Sequence, residues 1–405
     1  MSTGSSATIS RIFIDENKLQ PEYVPQRILH REEQLSKLSS YFRQFIVNPG
    51  SMYVRVVFTG SIGTGKTVVA KYFGSKMAER FRRFKFSYVN CHGDRTLFAI
   101  AQKIASNLGL GVPRRGYSTI EILHLIWNHL ESTDTYLILV VDEIDYLVRT
   151  QGDDALYKLT RLPEILGKTE DYRIGTIFIL RDLSDIMHLK GEVLSSLTRN
   201  VIRFEPYTSD QLYDILWARI LEEKAMYEEA VSDEIIEMIA KGVGRDRAGS
   251  GDARIALEIL YLAGKKAESE GRSYITPEDV KYAFVEVKPI PKDIITNLRL
   301  NEKLLLLALI RLSRSLKFSS KVPIGIVELE YADLCEEYGI RPRKHTAVWE
   351  YVQSLSKMGI IRTEKSRKGY KGKTTLISLP YIPSNLLEKE LRKLIEQEIK
   401  ALRRR

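Results

Sequence analysis

The sequence predicts a layered α/β core built on a mostly parallel sheet, then an all-α domain, then a small basic α+β domain. Three observations carry this. Between Val54 and Phe204, β-branched apolar runs alternate with longer helical patterns. After Phe204 the strand signals stop. The positive charge of the chain is gathered toward its C-terminal end.

The first observation defines the sheet. The runs Val54–Phe58, Phe86–Asn90, Leu137–Val141, Ile174–Leu180 and Val201–Phe204 are almost continuously apolar, so each strand should be covered on both faces, as parallel strands under helices are. No internal repeat is evident. Residues 1–15, which open with the small polar run MSTGSSATIS, are expected to be disordered because they offer too little apolar surface to offset chain ordering. The core is therefore placed at residues 16–206.

Residues 207–290 read as helices. Thr276-Pro277-Glu278-Asp279 places an N-cap, a first-turn proline and an acidic third position ahead of an amphipathic segment. Lys288-Pro289-Ile290-Pro291 cannot continue a helix and reads as a linker. Beyond it, residues 295–385 should fold separately, followed by a charged C-terminal helix at 386–405 whose weak apolar spacing suggests a solvated tail.

Composition narrows the class. A chain of 405 residues suggests two to four domains, and 44% hydrophobic with 28% charged residues fits a soluble globular protein. The longest apolar run, Leu304 to Ile310, is far shorter than the roughly 20 residues that span a bilayer, and the N-terminus lacks a signal-peptide core. A cytoplasmic, nucleoid-associated location is expected. Cys91 and Cys335 have no CxxC or Cys/His metal spacing and read as buried free thiols. The net charge is +10; from Asn297 to Arg405 there are 23 Lys/Arg against 12 Asp/Glu, so the preceding 296 residues sum to about −1. Such asymmetry points to a polyanion partner for the C-terminal part, the alternative being a solvated basic surface.

Gly60-Ser61-Ile62-Gly63-Thr64-Gly65-Lys66-Thr67 fits G-x-x-x-x-G-K-[ST] between a strand and the helix-forming Val68–Glu79. The glycines let the loop curl so that N–H groups from Ser61 to Val68 face phosphate oxygens, Lys66 reaches the β and γ phosphates, and the Thr67 hydroxyl ligates magnesium. The apolar run Leu137–Val141 then ends in Asp142 and Glu143. Parallel sheets present ligands at the carboxyl ends of their strands, so Asp142 should face the magnesium and Glu143 the attacking water. ATP or ADP with Mg2+ is the expected cofactor set.

With those motifs in place, the chain resembles the archaeal origin-recognition and cell-division-cycle (Orc/Cdc-type) replication initiators of the AAA+ class. Asp142-Glu143-Ile144-Asp145 looks like their second Walker motif, Gly251-Asp252-Ala253-Arg254 like the start of their sensor 2 helix, and Tyr23 to Glu32 like the segment lining their adenine pocket. The resemblance implies a P-loop AAA+ core with an all-α lid and a C-terminal winged helix. It further implies nucleotide contacts from Val24, Arg27, His30, Arg31 and Tyr213, and a catalytic contact on the γ-phosphate side from Arg254. The implied role is slow ATP hydrolysis coupled to double-stranded origin DNA and to loading of the replicative helicase, beside a paralogous initiator.

Two positions depart from the family. Arg181 stands after Ile174–Leu180 where an asparagine is usual; its guanidinium either stabilises transition-state charge or pairs with Asp142 or Glu143 and hinders hydrolysis. Glu192 occupies the place of the trans-acting arginine, with Arg199 nearby but off register.

The C-terminal pattern is helix (Glu302–Leu316), helix (Val327–Tyr338), helix (Thr346–Met358) and a hairpin within residues 360–379, a winged-helix layout. Val348, Val352 and Leu355 assign themselves to the core by spacing, leaving Lys344, His345, Thr346, Trp349 and Gln353 toward DNA. The hairpin carries Arg362, Lys365, Arg367, Lys368, Tyr370, Lys371 and Lys373. A second DNA candidate is the family's helical insertion between Asn90 and Glu121, with Arg114 and Arg115 at its tip. An alternative function is a nucleotide-binding transcriptional regulator with negligible turnover; another is a motor acting on protein substrates, for which the wing has no use.

Overall fold

The computed structural model describes residues 10–113, 116–187, 189, 191–247, 249–287, 295–296, 298–315, 321–358, 360–365, 374–379 and 385–403. Residues 1–9, the linker at 288–294, Arg114 and Arg115, and the hairpin tip with Arg367, Lys368, Tyr370, Lys371 and Lys373 lie outside them. Two compact units result. Residues 21–206 form one; the described residues up to Gln20 and those from Tyr207 onward form the other.

The first unit holds a sheet of β1 (Arg55–Thr59), β2 (Phe84–Asn90), β3 (Tyr136–Asp142), β4 (Ile174–Ile179) and β5 (Val201–Arg203), in the order β2-β3-β4-β1-β5. Every pairing in it is parallel. The strands start and end within about two residues of the expected runs, because apolarity covered on both faces marks them directly. On β3, Leu137, Leu139 and Val141 join one buried cluster while Ile138 and Val140 join another. The period of two thus divides one strand between two cores. α1 (Glu32–Val47) and α2 (Lys66–Arg80) cover one face; α3 (Leu97–Asn107), α4 (Thr119–Ser132) and α5 (Ile144–Thr160) cover the other. Gly74 on α2 is required: a Cβ there would come within 2.2 Å of the Phe86 ring, so only glycine brings the helix this close to β2. Short α6 (Leu162–Ile165) and α7 (Gly191–Thr198) complete the unit.

In the second unit, α8 (Ser209–Leu221) begins with a reciprocal capping box between Thr208 and Gln211. α9 (Asp233–Val243), α10 (Ala253–Ser269) and α11 (Pro277–Val287) pack with it around a core that includes Leu212, Ile236, Leu260 and Val280. Asp252 caps α10, accepting from the N–H groups of Arg254 and Ile255. At α11, buried Asp279 accepts from Thr276 N–H and hydroxyl, both at 2.8 Å, and from both Arg272 Nη atoms at 2.6 and 2.7 Å.

The chain start corrects an expectation. Ile12 and Phe13 are buried in this helical core, Phe13 bridges to Met226, and Asp15 caps a short 3-10 turn at Glu16–Leu19. Polar composition describes residues 1–9; Ile12 and Phe13 supply the apolar surface that orders the following segment.

The C-terminal fold contains α12 (Leu300–Ser315), α13 (Ile324–Glu337), α14 (His345–Lys357), β7 (Arg362–Lys365) and β8 (Thr375–Ser378), with β7 and β8 antiparallel. A strand the sequence did not reveal, β6 (Val322–Pro323), pairs with β8. Two residues are too short for alternation to register. The final helix, α15 (Asn385–Arg403), also corrects an expectation, because Leu391, Ile395 and Ile399 are buried and Lys303 ion-pairs with Glu398 at 2.8 Å. Spacing of four puts these three residues on one face, so the helix is a core element rather than a solvated tail.

Candidate functional site

β1 delivers the chain to the glycine-rich loop, and α2 receives it. Gly60, Gly63 and Gly65 have φ of 148°, 73° and 89°, which side chains rarely adopt, and a Cβ on Gly60 would lie 2.3 Å from the Phe204 carbonyl. Gly65 ends the loop in a left-handed conformation directly before Lys66, the first helical residue. Lys66 is buried; its Nζ donates to the Gly60 carbonyl at 2.6 Å and the Ser61 carbonyl at 2.7 Å. The ammonium is therefore held inside the loop by two of its carbonyls, at the start of a helix, the end that suits phosphate. Thr64 Oγ1 donates to Ser61 O at 2.9 Å; Ser61 and Ile62 are exposed, and Val68 is half-buried.

Thr67 and Asp142 meet across the top of the sheet, with Thr67 Oγ1 donating to Asp142 Oδ2 at 2.7 Å. The Glu143 N–H donates to Asp142 Oδ1 at 2.9 Å, and Tyr88 donates its hydroxyl to Oδ2 at 3.0 Å. A hydroxyl and a buried carboxylate at this separation are hard oxygen donors of the kind that would suit magnesium. Burial, then the charge of Asp142, pushes the Tyr88 phenol up, keeping it a donor.

Tyr88 was not among the expected site residues. In the register of β2 against β3, Asn90 lies opposite Asp142 and Tyr88 opposite Val140, so two polar residues of β2 reach the carboxyl end of the sheet beside Asp142. An aromatic residue in an apolar run reads as core, and only strand pairing reveals otherwise. Cys91 follows them; burial and the charge of Asp142 push its thiol up, so it stays protonated and inert.

Glu143 adopts φ 55° and ψ 47° at the start of α5 and stands 3.8 Å from an Arg181 guanidinium nitrogen.

Arg31 is buried, and its guanidinium donates from Nε to Thr64 O at 3.0 Å, from Nη1 to His30 O at 2.9 Å and from Nη2 to Glu205 O at 2.6 Å. It braces the loop from behind through carbonyl oxygens, a task that five fixed donors suit. Val24 and His30 are half-buried and Arg27 is exposed. Tyr213 and Arg254 belong to the other unit, where the Tyr213 hydroxyl donates to Asp233 and Arg254 is exposed in the first turn of α10.

On α14, Val348, Val352 and Leu355 are buried as their spacing predicts. Lys344, His345, Thr346 and Trp349 are exposed and Gln353 is half-buried, so the opposite face is presented outward. His345 pairs with Glu328 of α13. Lys365 is exposed on β7; the side chains of Arg362 and Glu192 are outside what is described, and Arg199 is exposed. Around the segment expected as an insertion, α3 and α4 pack on the sheet through Ile100, Ile104, Ile126 and Trp127, and Tyr117, which precedes α4, is exposed.

Known proteins bear on this arrangement. Residues 55–184 match the AAA domain, residues 213–285 the Cdc6 AAA+ ATPase-type lid domain, and residues 293–389 the CDC6 C-terminal winged helix domain. An ORC1-type DNA replication protein 2 of Sulfolobus acidocaldarius is 39% identical over 400 residues, 95% of each chain. Among solved structures, Cdc6p from Pyrobaculum aerophilum is 35% identical with a TM-score of 0.63, the match covering 96% of this chain and 100% of that one. The Aeropyrum pernix ORC1 protein in complex with DNA is 28% identical with a TM-score of 0.61, covering 97% and 99%.

Proposed function

The chain belongs to the ORC1/Cdc6-type family of DNA replication proteins, and from that premise we propose that it is an ATP-regulated initiator that binds replication origins and helps recruit or load the replicative helicase. The observation that carries this reading is one chain holding both a complete P-loop site, Lys66 curled inside its glycine loop with Thr67 on Asp142, and a winged helix with an open recognition face. Names of relatives support the replication role over a transcriptional one.

Each side chain has a task in this reading. Loop N–H groups and Lys66 bind the phosphates, Thr67 and Asp142 would hold magnesium with Tyr88 orienting the carboxylate, and Glu143 orients the attacking water. Magnesium, when bound, neutralises charge on the phosphates. Arg254 and Tyr213 are the contributions assigned to the lid. Turnover is slow, that of a switch, since Arg181 and Glu192 replace the family's sensing residues. On DNA, Thr346, Trp349 and Gln353 meet base edges and the hairpin cations meet phosphate, with the Arg114/Arg115 tip as a second contact.

Nuclease footprinting of the full chain with ATP, on an origin fragment beside promoter fragments, tests the proposal. Protection concentrated at the origin is the expected result. Protection confined to promoters would replace it with the regulator reading.

A further inference from the structure

β2 is an edge strand, first in the order β2-β3-β4-β1-β5 and paired on one side with β3. The Arg83 carbonyl and the Cys91 N–H both turn toward β3, meeting Tyr136 and Asp142. Backbone groups alternate sides along a strand, so those of Phe84, Phe86 and Tyr88 turn outward. Two of these are taken locally. The Phe84 N–H donates to the Phe81 carbonyl at 2.9 Å, and the Tyr88 carbonyl accepts from Asn107 Nδ2 of α3 at 3.3 Å. Between them the N–H and carbonyl of Phe86 are left on the open edge. Beside that edge lies an open cleft of about 670 Å³, with Ser75, Ala78 and Glu79 of α2, Arg82 of the following turn, and Lys85 and Phe86 of β2 among its walls.

The surroundings are cationic, although the first 296 residues sum to about −1. From Lys76 to Lys85 the chain carries five cations, Lys76, Arg80, Arg82, Arg83 and Lys85, against Glu79 alone. Lys76 takes Glu79 at 3.0 Å, and Arg83 takes Asp134 at 2.8 Å. Arg80, Arg82 and Lys85 are exposed and have no ion pair among the described residues. We propose that this edge and cleft bind an extended acidic segment of a partner protein, which adds to β2 as a further strand and sends alternate side chains into the cleft. Cations on an edge repel a second copy of the same strand, a common guard against self-pairing. The same cations draw in a strand that carries carboxylates. A nucleic acid would satisfy the charge, but it has no alternating N–H and carbonyl groups to continue the ladder from Phe86. Apolar residues of the added strand would meet Ala78 and Phe86 in the cleft while its carboxylates meet Arg82 and Lys85.

The test is fluorescence anisotropy of a labelled peptide of alternating Glu and Val, titrated with the full chain and with the double variant Arg82→Glu, Lys85→Glu. The unaltered chain should bind the peptide saturably, and the double variant should bind it about tenfold more weakly, since two exposed attractions become repulsions. Both replaced residues are exposed, so the variant should melt with the parent. A peptide with Lys in place of Glu should not bind. The Glu/Val peptide N-methylated at every residue keeps its charges but has no N–H to offer, and it too should fail to bind; retained affinity would overturn strand addition. A single-stranded oligonucleotide serves as the competing ligand. If the double variant loses affinity for the oligonucleotide and not for the peptide, the patch is a nucleic-acid contact and the proposal is overturned. No binding of the acidic peptide to the unaltered chain would also overturn it, leaving the cations as a guard of the edge alone.

Discussion

Replacing Arg31 with alanine should destabilise the nucleotide-binding unit before it affects any contact with nucleotide. The guanidinium is buried and serves three carbonyl oxygens, those of Thr64, His30 and Glu205, at 2.6 to 3.0 Å. A hydrogen bond from a charged donor contributes about 1.5–3 kcal/mol, and a carbonyl left buried without a partner is itself costly. The three bonds share one group and are not additive, and deleting the charge also removes its desolvation penalty, so the net loss should be about 3–5 kcal/mol. For a unit of this size each kcal/mol moves the midpoint by roughly 2–4 °C, which places the shift at roughly 6–20 °C. Arg31→Lys should fall between, because one ammonium cannot reach all three oxygens. Calorimetry of the full chain without nucleotide, paired with an ATP titration of whatever remains folded, reads both effects. A variant that melts with the parent yet loses ATP affinity would show that the guanidinium acts on the nucleotide directly, and the bracing argument would be wrong.

Lys66→Ala should abolish ATP binding, and Asp142→Asn should weaken its magnesium dependence; a titration with and without chelator reads both, since Asp142 accepts from Thr67 at the metal position. Ile395→Ala should cost the winged-helix fold about 2–4 kcal/mol in denaturant unfolding, because the residue is fully buried; a solvated helix would lose almost nothing. Asp279 keeps a lowered pKa although burial alone would raise it, because hydrogen bonds from Arg272 and Thr276 outweigh that burial. Its contribution is therefore present above the unfolded carboxylate value of about 3.9 and lost as pH falls through the lower folded value. An acid melt followed by lid tryptophan fluorescence should show this loss, and Asp279→Asn should remove that part of the pH dependence. If about four hairpin cations meet phosphate, log affinity should fall against log salt with a slope near −3.6. Replacing Lys365, Arg367 and Lys368 should flatten that slope for every sequence, whereas changes at Lys344, Thr346 or Gln353 should alter base preference in a binding-site selection.

The sequence by itself determined the elements whose signal is local. Covered strands appear as unbroken apolar runs, the glycine loop as a spacing, and the recognition helix as buried Val348, Val352 and Leu355, because periodicity and backbone freedom are properties of neighbours along the chain. The winged-helix charge was legible in the same way, as composition. Pairing decided the rest. Tyr88 reached Asp142 only because β2 lies beside β3 in register, Arg31 met the loop carbonyls because Thr64 and Glu205 converge there, and Arg181 found Glu143 through the ends of two separate strands. Ile12, Phe13 and α15 looked dispensable until a distant core received them. Each of these depends on residues far apart in sequence, and the free energy of such a contact exists only after the chain has closed the loop between them, which no local pattern records.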